Sequence, residues 1–256
     1  MSSTTWIAEE LLSNARRKAG LCWRAVEAQH IISTTKVVDS FDEQERLELL
    51  IEESKPPYPQ ECAGLQYLLF TPFRYRPHNR GSRFRRAQQI EGVFYASEHP
   101  YTTLAEKAHH GILFYADSPH TPLADNPVPH TVFSVRYKTG KAIDLTEPPL
   151  KADEKLWKHP SDYTACQQLA DEARKANIQL IRSDSVRCPK KGKNISILSC
   201  AAFESNSPEQ TQTWHIAVHR EEVITVRDFP REKLTFPISD LLPGIKLRNP
   251  TKRASR

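Results

Sequence analysis

Apolar residues recur at spacings of three and four from the beginning of the chain. Ile7, Leu11, Ala15, Ala19, Cys22 and Val26 follow this period, with Glu9 and Glu10 near its start. The pattern predicts a helix across 7–26, weakened at Gly20. A second helix is expected from Ser40, whose hydroxyl can cap the backbone while Glu43 reaches back to it. That helix carries Leu47, Leu50 and Ile51 and ends at Pro56-Pro57.

After residue 60 the pattern changes to short apolar runs bounded by turn formers, which read as strands. These runs are 65–70, 92–97, 131–137, 142–145, 178–182, 195–203, 213–219 and 223–226. Helices are expected over 100–110 and from Ser161, the latter with Cys166, Leu169, Ala170 and Ala173 on one face and a stop near Asn177. Strands outnumber helices and do not alternate with them, so the fold class is α+β rather than doubly wound. There is no G-x-G-x-x-G, which removes support for a Rossmann site.

Composition narrows the picture further. Of 256 residues, 38% are hydrophobic and 26% charged, enough for a packed core. Nothing approaches the run of about 20 apolar residues that a membrane helix needs. The N-terminus has no charged-then-apolar leader pattern, so the expected location is cytoplasmic, with no membrane partner. Five scattered cysteines without a C-x-x-C predict unpaired thiols rather than a disulfide framework or structural zinc. His109 and His110 are adjacent, about 100° apart on a helix, and make a poor chelate, so no metal is expected. The net charge of +5 is modest, with its excess at 74–86 and in the tail around Lys246, Arg248, Lys252, Arg253 and Arg256.

The stretch Phe73-Arg74-Tyr75-Arg76-Pro77, leading to Gly81-Ser82-Arg83-Phe84-Arg85-Arg86, is the densest in chemistry. Strand alternation would put Arg74 and Arg76 on one face and Arg83 and Arg85 on another. Guanidinium groups suit phosphate because their planar fork offers paired donors and keeps its charge. The interleaved aromatics also fit single-stranded nucleic acid. Tyr95 ends a strand where it can face a cleft. Glu106 has two readings, a site carboxylate or the end of a capping box begun by Thr103. Ser185 lies in a turn between Arg182 and Arg187.

Taken in order, these motifs resemble the RES domain family, named for an arginine, a glutamate and a serine. Here they are Arg74 in Phe73-Arg74-Tyr75, Glu106 in Leu104-Ala105-Glu106, and Ser185 in Ser185-Val186-Arg187. Gly81-Ser82-Arg83-Phe84 is similar to the family's second arginine motif, and Gly92-Val93-Phe94-Tyr95-Ala96-Ser97 to its tyrosine strand. Arg74 and Arg76 can exchange roles, since the local pattern permits either register. Arg85 stands where many members have asparagine, and Asp184 where proline is common.

The resemblance implies a mixed sheet core similar to ADP-ribosyltransferase toxins, with NAD⁺ as substrate. It implies a helical N-terminal extension over 1–60, an NAD-binding catalytic domain over 61–240 and a basic tail over 241–256. It further implies a toxin paired with a DNA-binding antitoxin. Glu106, Arg74 and Arg83 become the expected catalytic residues. Arg74, Arg76, Arg83, Tyr95 and Ser185 become the expected ligand contacts. The acceptor of the ribosyl group stays open among water, inorganic phosphate and a protein side chain. The alternative from composition alone is a non-catalytic basic module that binds single-stranded nucleic acid through 74–86.

Overall fold

The computed structural model describes residues 6–28, 38–74 and 79–247. In chain order the elements are α1 (Ala8–Ser13), β1 (Arg16–Glu27), α2 (Phe41–Glu53), α3 (Tyr67–Phe70), β2 (Phe94–Ser97), α4 (Pro100–Asp117), β3 (Val128–Asp144), α5 (Glu154–Trp157), α6 (Thr164–Lys175), β4 (Leu180–Asp184), β5 (Lys193–Ile197), β6 (Gln210–Val218), β7 (Glu222–Arg227), β8 (Glu232–Pro237) and α7 (Ile238–Leu241). Strands and helices are both present and do not alternate, as the α+β expectation requires.

The eight strands form one sheet in the order β1-β2-β5-β4-β3-β6-β7-β8, and β1 also pairs with β3. The extra pairing closes β1, β2, β5, β4 and β3 into a ring, while β6, β7 and β8 extend outward from β3. Only the β3–β4 contact is parallel. The ring is filled by Cys22, Phe94, Ala96, Phe133, Val135, Leu180, Ile195 and Ile197. Outside it, α6 covers one flank through Cys166, Leu169, Ala170 and Ala173. On the other flank α4 buries Leu104, Ala105, Ala108 and Ile112 against Trp23, Val132 and Trp214.

The helix expected across 7–26 is corrected. Its first turns are α1, but Arg16–Glu27 is a twelve-residue strand paired with β3 from Arg16↔Ala142 to Glu27↔His130. Leu21, Trp23 and Ala25 face α4, while Cys22 and Val26 face the ring interior. A strand buried on both faces has no clean alternation, so a helical period can be drawn through it. Gly20 is explained by its partner Tyr137: a Cβ there would lie 2.8 Å from the Tyr137 hydroxyl. The run at 65–70 is also corrected, since Tyr67–Phe70 is one helical turn. A short apolar run cannot separate the two states. The second helix forms as read, with Ser40 accepting from Glu43 N at 3.2 Å and Glu43 accepting from Asp39 N at 3.0 Å.

The expectation of unpaired thiols fails for two cysteines. Cys62 and Cys200 form a disulfide across 138 positions, while Cys22, Cys166 and Cys188 are buried free thiols. Spacing could not reveal this pair, because the fold alone brings the turn before α3 against the turn after β5. No helix among the described residues is long and apolar enough to cross a membrane. Leu241 and Leu247 pack into the core beside α4, so ordered contacts run past 240. Tail residues 248–256 lie outside the described residues.

Candidate active site

The site is floored by β2, β5 and β4. Phe94, Ala96, Ile195, Ile197 and Leu180 point into the ring. Alternation then turns Tyr95, Ser97, Asn194, Ser196, Ile181 and Ser183 to the outer face. Pairing sets them in rows: Ser97, Asn194 and Ser183 side by side, then Tyr95, Ser196 and Ile181. The second row meets the α6 side of the core, where Tyr95 and Ile181 pack. The first row is wholly polar and reaches α4.

Glu106 descends onto that row from α4. The helix is capped at His99 and has Pro100 at its start. Thr103 therefore sits inside the helix, with its hydroxyl bonded to Trp23 O at 2.9 Å and His99 O at 3.2 Å. The capping reading of Glu106 falls with this. Ser185 Oγ and Asn194 Nδ2 both donate to Glu106 Oε1, each at 2.6 Å. Asn194 is oriented in turn by Ser97 Oγ, which donates to Asn194 Oδ1 at 2.8 Å. Among the described residues nothing donates to Oε2.

Ser185 is held by its own turn. Its hydroxyl accepts from Cys188 N at 3.0 Å and Arg187 N at 3.3 Å while donating to Glu106. The turn is closed by Ser185 N to Gly192 O at 2.8 Å. Gly192 lets the turn press on α4, since a Cβ there would sit 2.0 Å from Thr102 Oγ1. With its hydroxyl donating to Glu106 and accepting two backbone N–H groups, Ser185 is arranged to hold the carboxylate in place.

The arginines divide. Arg83 bonds Trp157 O at 2.6 Å and His159 O at 3.2 Å, and its guanidinium lies 4.7 Å from the Tyr163 ring centroid. Arg187 approaches the same tyrosine from the hydroxyl side, at 3.1 Å, and also bonds Pro160 O. Neither pairs with a carboxylate among the described residues. Arg182 is different: it is committed to Glu98 at 2.6 Å and Asp144 at 3.0 Å.

Arg74 bonds Pro56 O at 2.6 Å, pairs with Glu52, and lies 5.9 Å from the Tyr58 ring centroid. These partners belong to α2 and the segment after it. Arg76 lies outside the described residues, as does Tyr75. The expected strand alternation of Arg83 and Arg85 is replaced by a turn, bridged at Ser82↔Arg85. Tyr95 points back to this turn, bonding Ser82 Oγ at 2.7 Å and Phe84 N at 3.0 Å. Burial pushes its phenol up, so it stays neutral and locks the Arg83 turn onto β2.

Reading the sequence gave no site role to Asn194, Tyr163, Ser97 or Arg187, although the last two stand inside the motifs at 92–97 and 185–187. For Asn194 and Tyr163 the only signal is strand alternation or nearness to a motif, which many polar residues share. A cavity of about 240 Å³ opens elsewhere, between the end of β1, the α3 segment and α4, lined by Arg24, Glu27, Tyr67, Thr71 and Lys107. Glu106, Ser185 and Asn194 do not line it. No cluster of three or more His, Cys, Asp or Glu side chains fit for a metal occurs among the described residues.

The model of the RES domain family matches residues 59–219. No curated protein sequence matches the chain. Among solved structures the chain is similar to one from the crystal structure of the M. tuberculosis MbcT-MbcA toxin-antitoxin complex. The TM-score is 0.49 at 10% sequence identity, over 80% of this chain and 89% of that chain.

Proposed function

We propose that this chain, which belongs to the RES domain family over residues 59–219, breaks the bond between nicotinamide and ribose in NAD⁺ and is a cytoplasmic toxin restrained by a DNA-binding antitoxin. The observation that carries the reading is the one-sided anchoring of Glu106. Ser185 and Asn194 fix Oε1, which leaves Oε2 to meet a ligand without moving the side chain.

Nicotinamide departs from NAD⁺ uncharged, so the reaction asks for no strong acid. It leaves positive charge on the ribose, and a preorganised carboxylate stabilises that charge as it forms. Glu106 takes this role and can hold a ribose hydroxyl as well. Arg83, which pairs with no carboxylate among the described residues, grips the pyrophosphate and keeps the ribose still while the bond breaks. Tyr95 supports Arg83 through the 82–84 turn. The family's first arginine is Arg74 or Arg76. For Arg74 to reach the ligand it must exchange Glu52 and Pro56 for phosphate.

Water, inorganic phosphate or a protein side chain can each capture the cation. Arg86 is a poor recruiter of phosphate, being paired with Asp171 at 2.6 Å. The same pairing weakens the nucleic-acid alternative, since Arg74, Arg80 and Arg86 all face carboxylates. The test is nicotinamide release from NAD⁺ by purified protein, with and without phosphate. Release by the wild type and its loss in Glu106→Gln and Arg83→Ala are expected. A wild type that releases none, yet binds oligonucleotides in a salt-sensitive way, would reverse the reading.

A further inference from the structure

Three of the four carbonyls in the turn 82–85 accept a side-chain N–H from α6. Gln167 Nε2 donates to Ser82 O at 3.0 Å and to Arg85 O at 3.3 Å, and Arg174 Nη2 donates to Phe84 O at 2.9 Å. Gly81 lets the turn close on this helix, since a Cβ there would lie 2.7 Å from Gln167 Nε2. Tyr163, just before α6, meets the Arg83 guanidinium with its ring, and Asp171 pairs with Arg86 at 2.6 Å. Residues 163, 167, 171 and 174 are spaced by four, four and three, so they form one polar stripe along the helix. The core-facing side is separate, made of Cys166, Leu169, Ala170 and Ala173.

Arg174 is the costly member of this stripe. Its Nε and Nη1 are buried without a partner, and it pairs with no carboxylate among the described residues. Burial pulls its pKa down. A buried cation so poorly paired destabilises a fold, so stability does not account for it. The Arg83 guanidinium is hydrogen-bonded by protein only through Nη1. Its Nε and Nη2 have no protein acceptor among the described residues, and the turn behind them sets where they point.

We propose that Gln167 and Arg174 are positioning residues, which fix the backbone on both sides of Arg83 so that its unbonded N–H groups meet the phosphates of the ligand. This rests on the NAD⁺ reading and extends the site to α6, which carries none of the motifs read from the sequence. Both side chains act through the turn and not by touching the ligand.

The experiment measures binding of ADP-ribose to the full-length protein by calorimetry, together with melting temperature. The variants are Gln167→Leu, Arg174→Met and Arg174→Lys, with the first two also combined with Arg83→Ala. Methionine replaces a poorly paired buried cation by an apolar chain, so the melting temperature of Arg174→Met is expected to change little. Affinity is nevertheless expected to fall about tenfold in Arg174→Met and Gln167→Leu. Arg174→Lys, which keeps a donor for Phe84 O, should recover part of that loss. Added to Arg83→Ala, neither variant should cost anything further, because the group it positions is gone. Binding within twofold of the wild type in both single variants would reduce the stripe to packing and overturn the proposal. So would losses that add in full to that of Arg83→Ala, since they would not pass through Arg83. A wild type that binds no ADP-ribose ends the NAD⁺ reading and this role together. A wild type that binds beside unaffected variants ends only this role.

Discussion

Ser185 Oγ donates to Glu106 Oε1 at 2.6 Å across 79 positions of sequence. The bond joins the turn after β4 to the second turn of α4, two pieces of chain that no local rule brings together. It occupies one oxygen of Glu106 and leaves the second without a donor among the described residues.

Glu106→Gln keeps the shape and both hydrogen-bonding positions but removes the charge. A loss of about 10²–10³-fold in nicotinamide release is expected, with the melting temperature little changed. Ser185→Ala should cost less, about tenfold, because Asn194 still holds the carboxylate. Comparable losses in the two variants would contradict the division of labour.

Asn194→Ala tests the second anchor. It removes a donor to Glu106 and leaves Ser97 Oγ without its acceptor. The carboxylate should remain present but swing, so turnover is expected to fall about tenfold while KM shifts little. A rise in KM at constant turnover would instead mean that Asn194 contacts the ligand directly.

The folded chain keeps His109 neutral down to about pH 3, whereas in the unfolded chain it takes up a proton near pH 6.5. The unfolded state therefore binds more protons between those values, and stability rises with pH through that window and levels off above it. For one such group the slope approaches about 1.4 kcal/mol per pH unit. In His109→Leu that share of the acid limb should vanish. Urea unfolding between pH 4 and pH 7 reads it, and an unchanged slope would refute the assignment.

Arg74 ties α2 to the body. No residue of α2 is buried, and Phe41, Leu49 and Leu50 are exposed. Arg74 joins it to the body through Glu52 and the following Pro56 carbonyl. In Arg74→Ala, protease cleavage across 41–55 is expected to accelerate severalfold while the core stays protected. Unchanged cleavage would mean that α2 is held by something else.

Parts of this site were readable before any coordinates. Glu106, Ser185 and Arg83 stand in short motifs whose order along the chain is informative, and α4 and α6 follow their apolar period. Asn194 was not readable, because an asparagine near the start of a short strand looks like any edge polar residue until Ser97 and Glu106 are set beside it. In the sequence His109 is only half of a poor chelate, and its burial without a partner among the described residues is visible only in the fold.

Local pattern determined the class of fold, most of the strands after residue 90, and the residue types at the centre of the site. Those follow from periodicity and motif order, which are properties of neighbouring residues. The closure of β1 onto both β2 and β3, the Cys62–Cys200 bond, and the meeting of Glu106 with Asn194 belonged to the tertiary structure. Each joins segments far apart along the chain. Contacts of that kind are chosen by packing and pairing across the whole core, and they leave no periodic trace in the segments they join.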